Sequence, residues 1–546
     1  MNTARRLIKL QRQIHKTVRA DVRRAYGLRT RELRRYYDAY KREFRGPSRQ
    51  SSKEELLKAC LKADVILMGD YHTFAQSQKA ALRLLRDLVN WSPDFALGLE
   101  MVPSSNQADL DQYMAGSIDD AELLRRIDYS STWGFPWENF KPLLTFAREH
   151  NILVIALNHR SENLEARDEH AASVIAAFTA AYAKTKLFAI YGDLHLARGH
   201  IPKRLKAELS TRKLKRRIVT VFQNSETLYW RLAEQGMAHA VDVLSIGRDR
   251  YCIINAPPWV KLQSYLEWTE SGMTLDHEDA PGLNLHEIAH DRLKNLAEAL
   301  NLNIPENFDF TIQTINDLGF LKNLMSSHGL TRNEAKAVKY HVLGNRHVFI
   351  PSAKLMYLAS SSTNAMNEGV AVLAHAIVSR TQILFHDPRE HFFSLLVSSM
   401  LAYFGSKVLN HKRKCDLEDD FKLQLEQPLE RGALPAEKLQ RKVAKFALKH
   451  CQAQREYLKQ GRYRAPVTIK GPSQMPVFLE SARQLGHLMG EKLYSAYAAG
   501  SFPSLEVERL FLAKLADSRA ARVLYLKLVG DLQGAPLSHT SKLDLL

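Results

Sequence analysis

Apolar residues in the first half of the chain fall into short unbroken runs at 65–68, 95–99, 152–157 and 187–191. Short runs without polar alternation mark strands buried on both faces, as in a parallel sheet. Between them the period becomes helical. Leu82, Leu85, Leu88 and Val89 line one face of 75–89, and 140–150 and 171–183 repeat the pattern. Strands alternating with helices predict βαβ units and a parallel sheet covered on both sides. A fifth strand is predicted at 218–222, and 241–246 with 251–254, joined by Gly247-Arg248-Asp249-Arg250, predict a closing hairpin. The stretch 107–128 interrupts this rhythm as a helical hairpin around Gly116, which predicts a small cap above one sheet edge.

Polar and acidic residues take over from 269 to 281, the composition of a linker. Helical periodicity then dominates 283–300, 333–343, 365–379, 392–409, 436–458, 475–498 and 504–530. The expected fold class is therefore α/β, a parallel sheet flanked by helices with a small helical cap, followed by a separate all-α domain. The predicted organisation is a basic helical N-terminal segment at 1–50, the α/β domain at 55–260, a linker at 261–282 and the α-helical domain at 283–546. These are ordinary domain sizes. The apolar run 392–404 is short for a bilayer span and broken by serines, so it reads as a buried helix, and no transmembrane segment is expected.

Charge changes the picture at one place. The formal net charge is +18, and the first 50 residues carry 16 Lys/Arg against 4 Asp/Glu, about two thirds of the excess. Pairs such as Arg5-Arg6, Arg23-Arg24 and Arg34-Arg35 are compatible with a weak polyanion contact. They are equally compatible with a solvated helix on the protein's outside. Leu7, Leu10, Ile14 and Val18 recur at helical spacing, and Tyr36, Tyr37 and Tyr40 extend the apolar stripe. Cys60, Cys252, Cys415 and Cys451 lack CxxC spacing, and no secretory h-region opens the chain, so reduced thiols in the cytoplasm are expected. An oligomer is compatible with all of this.

The candidate chemistry lies after the strands. The first run ends in Gly69-Asp70-Tyr71-His72, the second in Glu100, the third in Asn158-His159-Arg160 and the fourth in Gly192-Asp193-Leu194-His195. Ligands of open parallel sheets bind at the carboxyl ends of the strands. Glycine lets the backbone turn sharply there, and a histidine three residues on can reach back across the opening. Two histidines and a carboxylate are a common metal set, so His72, Glu100 and His195 are candidate ligands for Mn, Co, Zn or Fe. Asp70, Asp193 and Asn158 are candidate catalytic or ligand-orienting groups.

These same segments resemble the ChaN-type haem-binding uptake family, within a wider group that includes the Tiki metalloproteases and the erythromycin esterases. The resemblance rests on 65–72, Gly98-Leu99-Glu100-Met101, 110–116, 133–144, Ala156-Leu157-Asn158 and Gly192-Asp193-Leu194-His195, and it covers about 60–225. It implies a parallel α/β domain with a helical cap. From ChaN relatives it implies haem binding connected with iron uptake. From Tiki relatives it implies divalent-metal peptidase chemistry through two Gly-x-x-His motifs and a glutamate, matched by His72, His195 and Glu100. From the esterases it implies a histidine general base beside an acidic residue. The first motif departs from the common Gly-Glu-x-His by having Asp70, one methylene shorter.

Other signals are weaker. Tyr71 and Tyr113 are candidate haem ligands because tyrosine can hold ferric haem, and His200 is a candidate for the same pocket. His286-Glu287-Ile288-Ala289-His290 is a literal HExxH, but Asp291 and Arg292 follow it and no third ligand stands at a familiar spacing, Glu306 being conceivable. Glu368 and His375 share a helix face, as metal ligands or as satisfied core groups, and His341 and His347 read as turn residues. No P-loop, dinucleotide fingerprint or serine-hydrolase elbow appears. The expected function is a ChaN-like domain binding haem, an iron-type ligand or another small molecule. The alternative is a metal-dependent hydrolase.

Overall fold

The structure is a computed structural model that describes residues 3–26, 30–161, 163–270, 284–305, 308–314, 318–322, 324–326, 328–344, 346–360, 362–381, 388–426, 435–464, 474–539 and 541–542. The chain divides into two compact units, His15–Leu283 and Met1–Ile14 with Asn284–Leu545.

The first unit is built on one mixed sheet. Its strands are β1 (Arg49–Ser51), β2 (Val65–Asp70), β3 (Phe95–Pro103), β4 (Leu153–Asn158), β5 (Lys186–Gly192), β6 (Ile218–Gln223), β7 (Val243–Gly247) and β8 (Arg250–Ile253). They lie in the order β1-β7-β8-β6-β2-β5-β3-β4. Pairing is parallel from β8 to β4, and antiparallel where β7 meets β8 and β1. The predicted fifth strand and closing hairpin are thus both present. The hairpin turns through Asp249, whose φ is +57°. Every residue of β2 and β3 is buried, as strands covered on both faces require.

One helix face differs from its expected position. In Ala75–Trp91 the buried residues are Ser77, Gln78, Ala80, Ala81, Leu84, Leu85 and Leu88, while Leu82 and Val89 flank the contact. The small alanines let the helix lie close to the sheet, and this turns Gln78 inward. The helical hairpin is present as Gln107–Met114 and Asp120–Arg126, with Gly116 at φ +75°.

The basic segment is not a separate domain. Its helices, Thr3–Tyr26 and Arg31–Arg42, bury Leu7, Leu10, Ile14 and Val18, and then Tyr36 and Tyr40. The first helix gives residues up to Ile14 to the helical unit and from His15 onward to the α/β unit. The expected linker also starts too early: Pro258–Glu270 is a helix of the α/β unit, and 271–283 lie outside the described residues. Apolar Val260, Leu262, Tyr265 and Leu266 between the charges support that helix.

The second unit is helical and also carries a three-stranded sheet that periodicity did not predict. Its strands β9 (Thr311–Thr314), β10 (Val348–Ile350) and β11 (Leu355–Leu358) lie in the order β10-β11-β9. Its helix Phe392–Leu409 has the expected bounds and 18 residues, and is by length and composition a candidate membrane span. That helix is wholly buried inside the unit. The histidines of the HExxH segment lie on Leu285–Leu300, whose first turn is capped by Asn284. His290 stacks on Phe310 at 4.7 Å and His286 lies 3.7 Å from Asp309, while Glu306 lies outside the described residues.

Candidate functional site

The two Gly-Asp-x-His turns are neighbours because β2 and β5 pair in parallel, with Gly69 opposite Tyr191 and Asp70 opposite Gly192. Each glycine makes room for the other turn's polar groups. A Cβ on Gly69 would lie 1.9 Å from Asp193 Oδ1, and one on Gly192 would lie 3.3 Å from His72 Nε2 and 3.4 Å from Glu100 Oε2. Glycine is therefore needed here for close approach rather than for an unusual φ.

Asp70, His72 and Glu100 form the first group. His72 Nδ1 donates to Asp70 Oδ2 at 2.8 Å, and Gln78 Nε2 donates to Asp70 Oδ1 at 2.6 Å. This places the acceptor lone pair of a neutral His72 on Nε2, 3.8 Å from Glu100 Oε2. Register between β3 and β4 shifts after Leu99, which frees Glu100 from the regular ladder. Its Oε2 accepts from the Gly192 N–H and its Oε1 from Arg167 Nη2, both at 2.6 Å. Burial lowers the His72 pKa, but Asp70 and Glu100 together outweigh it, and the net shift is upward. The ring lies 4.4 Å from Trp133 and 4.8 Å from Phe135. About a fifth of the side chain stays accessible (22 %), against 3 % for Glu100.

His195 belongs to a second group. Its Nδ1 lies 2.5 Å from Asp168 Oδ1, and the other oxygen of Asp168 accepts from the Tyr36 hydroxyl at 2.7 Å. His200 stacks on Tyr36 at 3.8 Å and brings its Nδ1 to 3.5 Å from Asp168. Burial raises the Asp168 pKa, yet hydrogen bonds from His195, His200 and Tyr36 hold it below the ordinary value. Asp193 forms a third group, with Lys261 Nζ at 3.2 Å and the Tyr40 hydroxyl and Gln223 N–H each at 3.4 Å. Burial, helped by the charge of Asp70, raises its pKa against the opposing Lys261.

The predicted metal set is divided between two groups, His72 beside Glu100 and His195 beside Asp168. Each oxygen of Glu100 accepts from a donor, one of them a guanidinium whose charge opposes a divalent cation. His195 is oriented by Asp168 as His72 is by Asp70, but it is buried. Among the described residues no group of three His, Cys, Asp or Glu side chains is arranged to hold a metal ion. Asn158 is not in the cluster either: its Oδ1 accepts from the next backbone N–H, of His159, in a local turn. Tyr113 is committed elsewhere, donating to Asp120 at 2.8 Å with Arg148 over its ring. Tyr71 lies under Lys261 Nζ at 4.8 Å. His200 sits in the Asp168 group. The aromatic cover above His72 comes from Trp133 and Phe135, just beyond the predicted cap, and Phe135 meets Trp268 of Pro258–Glu270 at 4.8 Å.

The segment that carries the first group of the site also resembles a known family. Residues 56–166 match the family model for haem-binding uptake, Tiki superfamily, ChaN. The matched segment contains Asp70, His72, Glu100, Trp133 and Phe135, and ends just before Arg167 and Asp168. A solved structure, cofacial heme binding to ChaN of Campylobacter jejuni, is similar at 16 % identity over 32 % of this chain and 88 % of that chain, with a TM-score of 0.25. No curated protein matches.

Sequence reasoning missed Gln78, Arg167, Asp168, Tyr36, Tyr40 and Lys261. Arg167 and Asp168 are consecutive on Leu164–Ala181 and serve different groups, Arg167 meeting Glu100 and Asp168 meeting His195. The usable signal was a charged pair one turn into a helix otherwise rich in alanine. Tyr36, Tyr40 and Lys261 come from segments distant in sequence, and nothing local marks them.

Proposed function

We propose that the α/β unit binds haem, or a comparable iron-bearing ligand, at the carboxyl ends of β2, β3 and β5. The observation that carries this reading is His72: a partly accessible imidazole, oriented through Nδ1 by a buried carboxylate, beside the indole of Trp133 and the ring of Phe135. Carboxylate-oriented imidazoles are good metal ligands, and aromatic walls suit a flat macrocycle. The residues fit haem better than a bare divalent ion, since haem iron asks the protein for one axial donor where a bare ion asks for several. Bound haem would supply the redox or iron-carrying chemistry. This chain's part is to orient His72 through Asp70 and Gln78 and to keep Glu100 neutralised by Arg167. The match of 56–166 to a haem-binding family supports the reading, and the four free, buried cysteines support a cytoplasmic setting.

Haem titration of the full chain is expected to give a Soret band that His72→Ala weakens by roughly tenfold or more in affinity, while Tyr113→Phe leaves it unchanged. No spectral change at micromolar haem, or an unaltered band in His72→Ala, would sink the proposal.

A hydrolytic reading draws on the same Asp70–His72 pair, a base oriented by a carboxylate. In its metal-dependent form it needs stoichiometric Mn, Co, Zn or Fe that disappears in both His72→Ala and His195→Ala. The Arg167 guanidinium on Glu100, which opposes a divalent cation, places it second.

A further inference from the structure

The helical unit contains a partly enclosed cavity of ≈ 40 Å³, lined among others by Arg346, His347, Glu368, Thr381, Arg483 and His487. That is room for about three waters, or for one compact polar group. The charges around it are unevenly paired. Glu368 is in direct contact with Arg413, and both His347 Nε2 and His487 Nε2 lie 3.2 Å from its oxygens. His347 Nδ1 accepts from the Ala359 N–H, so its Nε2 carries the proton given to Glu368. Arg483 pairs with Glu480 at 2.6 Å.

Arg346 is different. Its guanidinium, 7 % exposed, donates to the carbonyls of Leu479 and Leu395 and to Ser399 Oγ, all neutral. Those are three hydrogen bonds for five N–H groups. No carboxylate lies within ion-pair distance of it among the described residues. Burial, and then the charge of Arg483, push its pKa down to about 10 against the opposing charges of Glu480 and Glu368, which still leaves a cation at neutral pH. A buried cation with no carboxylate in direct contact is costly, and an anion in the adjoining cavity would relieve that cost.

We propose that this cavity binds a phosphate group, either free or carried by a small metabolite, with Arg346 as its principal charge partner. The guanidinium fork matches phosphate oxygens, and a buried guanidinium with no direct ion pair matches a compact oxyanion. Glu368 shares the lining, but Arg413 and the Nε2 proton of His347 offset its charge, so it opposes an anion less than a bare carboxylate would. The site is independent of the haem reading.

The test is calorimetric titration of the full chain with inorganic phosphate and with glycerol 3-phosphate, at constant ionic strength balanced with chloride. Saturable binding is expected, weakened roughly tenfold or more in Arg346→Gln and partly restored in Arg346→Lys. A tighter ester identifies a metabolite, and equal or tighter inorganic phosphate identifies the free anion. Should the variants not fold, the His347 and His487 ring resonances of the wild-type protein must shift with the same phosphate dependence. Absence of saturable binding, equal affinity in Arg346→Gln, or unmoved ring resonances overturns the proposal.

Discussion

The turns Gly69-Asp70-Tyr71-His72 and Gly192-Asp193-Leu194-His195 share a spacing, stand on adjacent parallel strands and end with different roles. In the first, the aspartate serves its own histidine, and the imidazole stays partly accessible against aromatic rings. In the second, the aspartate turns to Lys261 and the histidine is nearly closed off against Asp168 and Tyr36. Spacing sets the backbone turn; the elements folded over each turn decide whether its histidine meets a ligand or the interior. The second turn is therefore read as the scaffold on which the first is held.

The strongest way to break this contrast is Asp168→Ala. It strips an acceptor from His195, His200 and Tyr36 together, and a loss of about 3–5 kcal/mol in denaturant unfolding is expected. Because the Asp168 pKa is held low, its stabilisation is present above the ordinary carboxylate value and is lost as pH falls through the lowered one. Gly69→Ala comes next, at about 1–3 kcal/mol, since the new methyl collides with Asp193. Asp193→Ala in the same chain should recover part of that loss, and strict additivity in the double-mutant cycle would contradict the proposed packing.

The contrast sharpens with the histidines themselves. His195→Ala is expected to cost about 1–3 kcal/mol by leaving Asp168 under-bonded, with haem affinity nearly unchanged. His72→Ala should cost less stability and most of the affinity. The smallest effect is the titration of His72. Its pKa is raised, so its stabilising contribution is full below the unfolded-state value and fades as pH rises through the folded one. Proton NMR should show the His72 titration moving downward in Asp70→Asn, and an unmoved midpoint would remove Asp70 as its partner.

Much of the architecture was legible because buried strands and amphipathic helices write their period locally. The runs at 65–68, 95–99 and 187–191 became β2, β3 and β5, and the Gly247–Arg250 turn became the hairpin. The grouping of Asp70, His72 and Glu100 was also foreseeable, because parallel strands bring their carboxyl ends to one edge. Sequence alone did not separate His72 from His195, since the two motifs are alike over four residues. Only the tertiary structure brought Asp168, Tyr36 and Lys261 over the second turn and left the first under Trp133 and Phe135. A residue's period is set by its neighbours in the chain, whereas the partner that claims a buried charge is set by whichever distant element lies within hydrogen-bond reach.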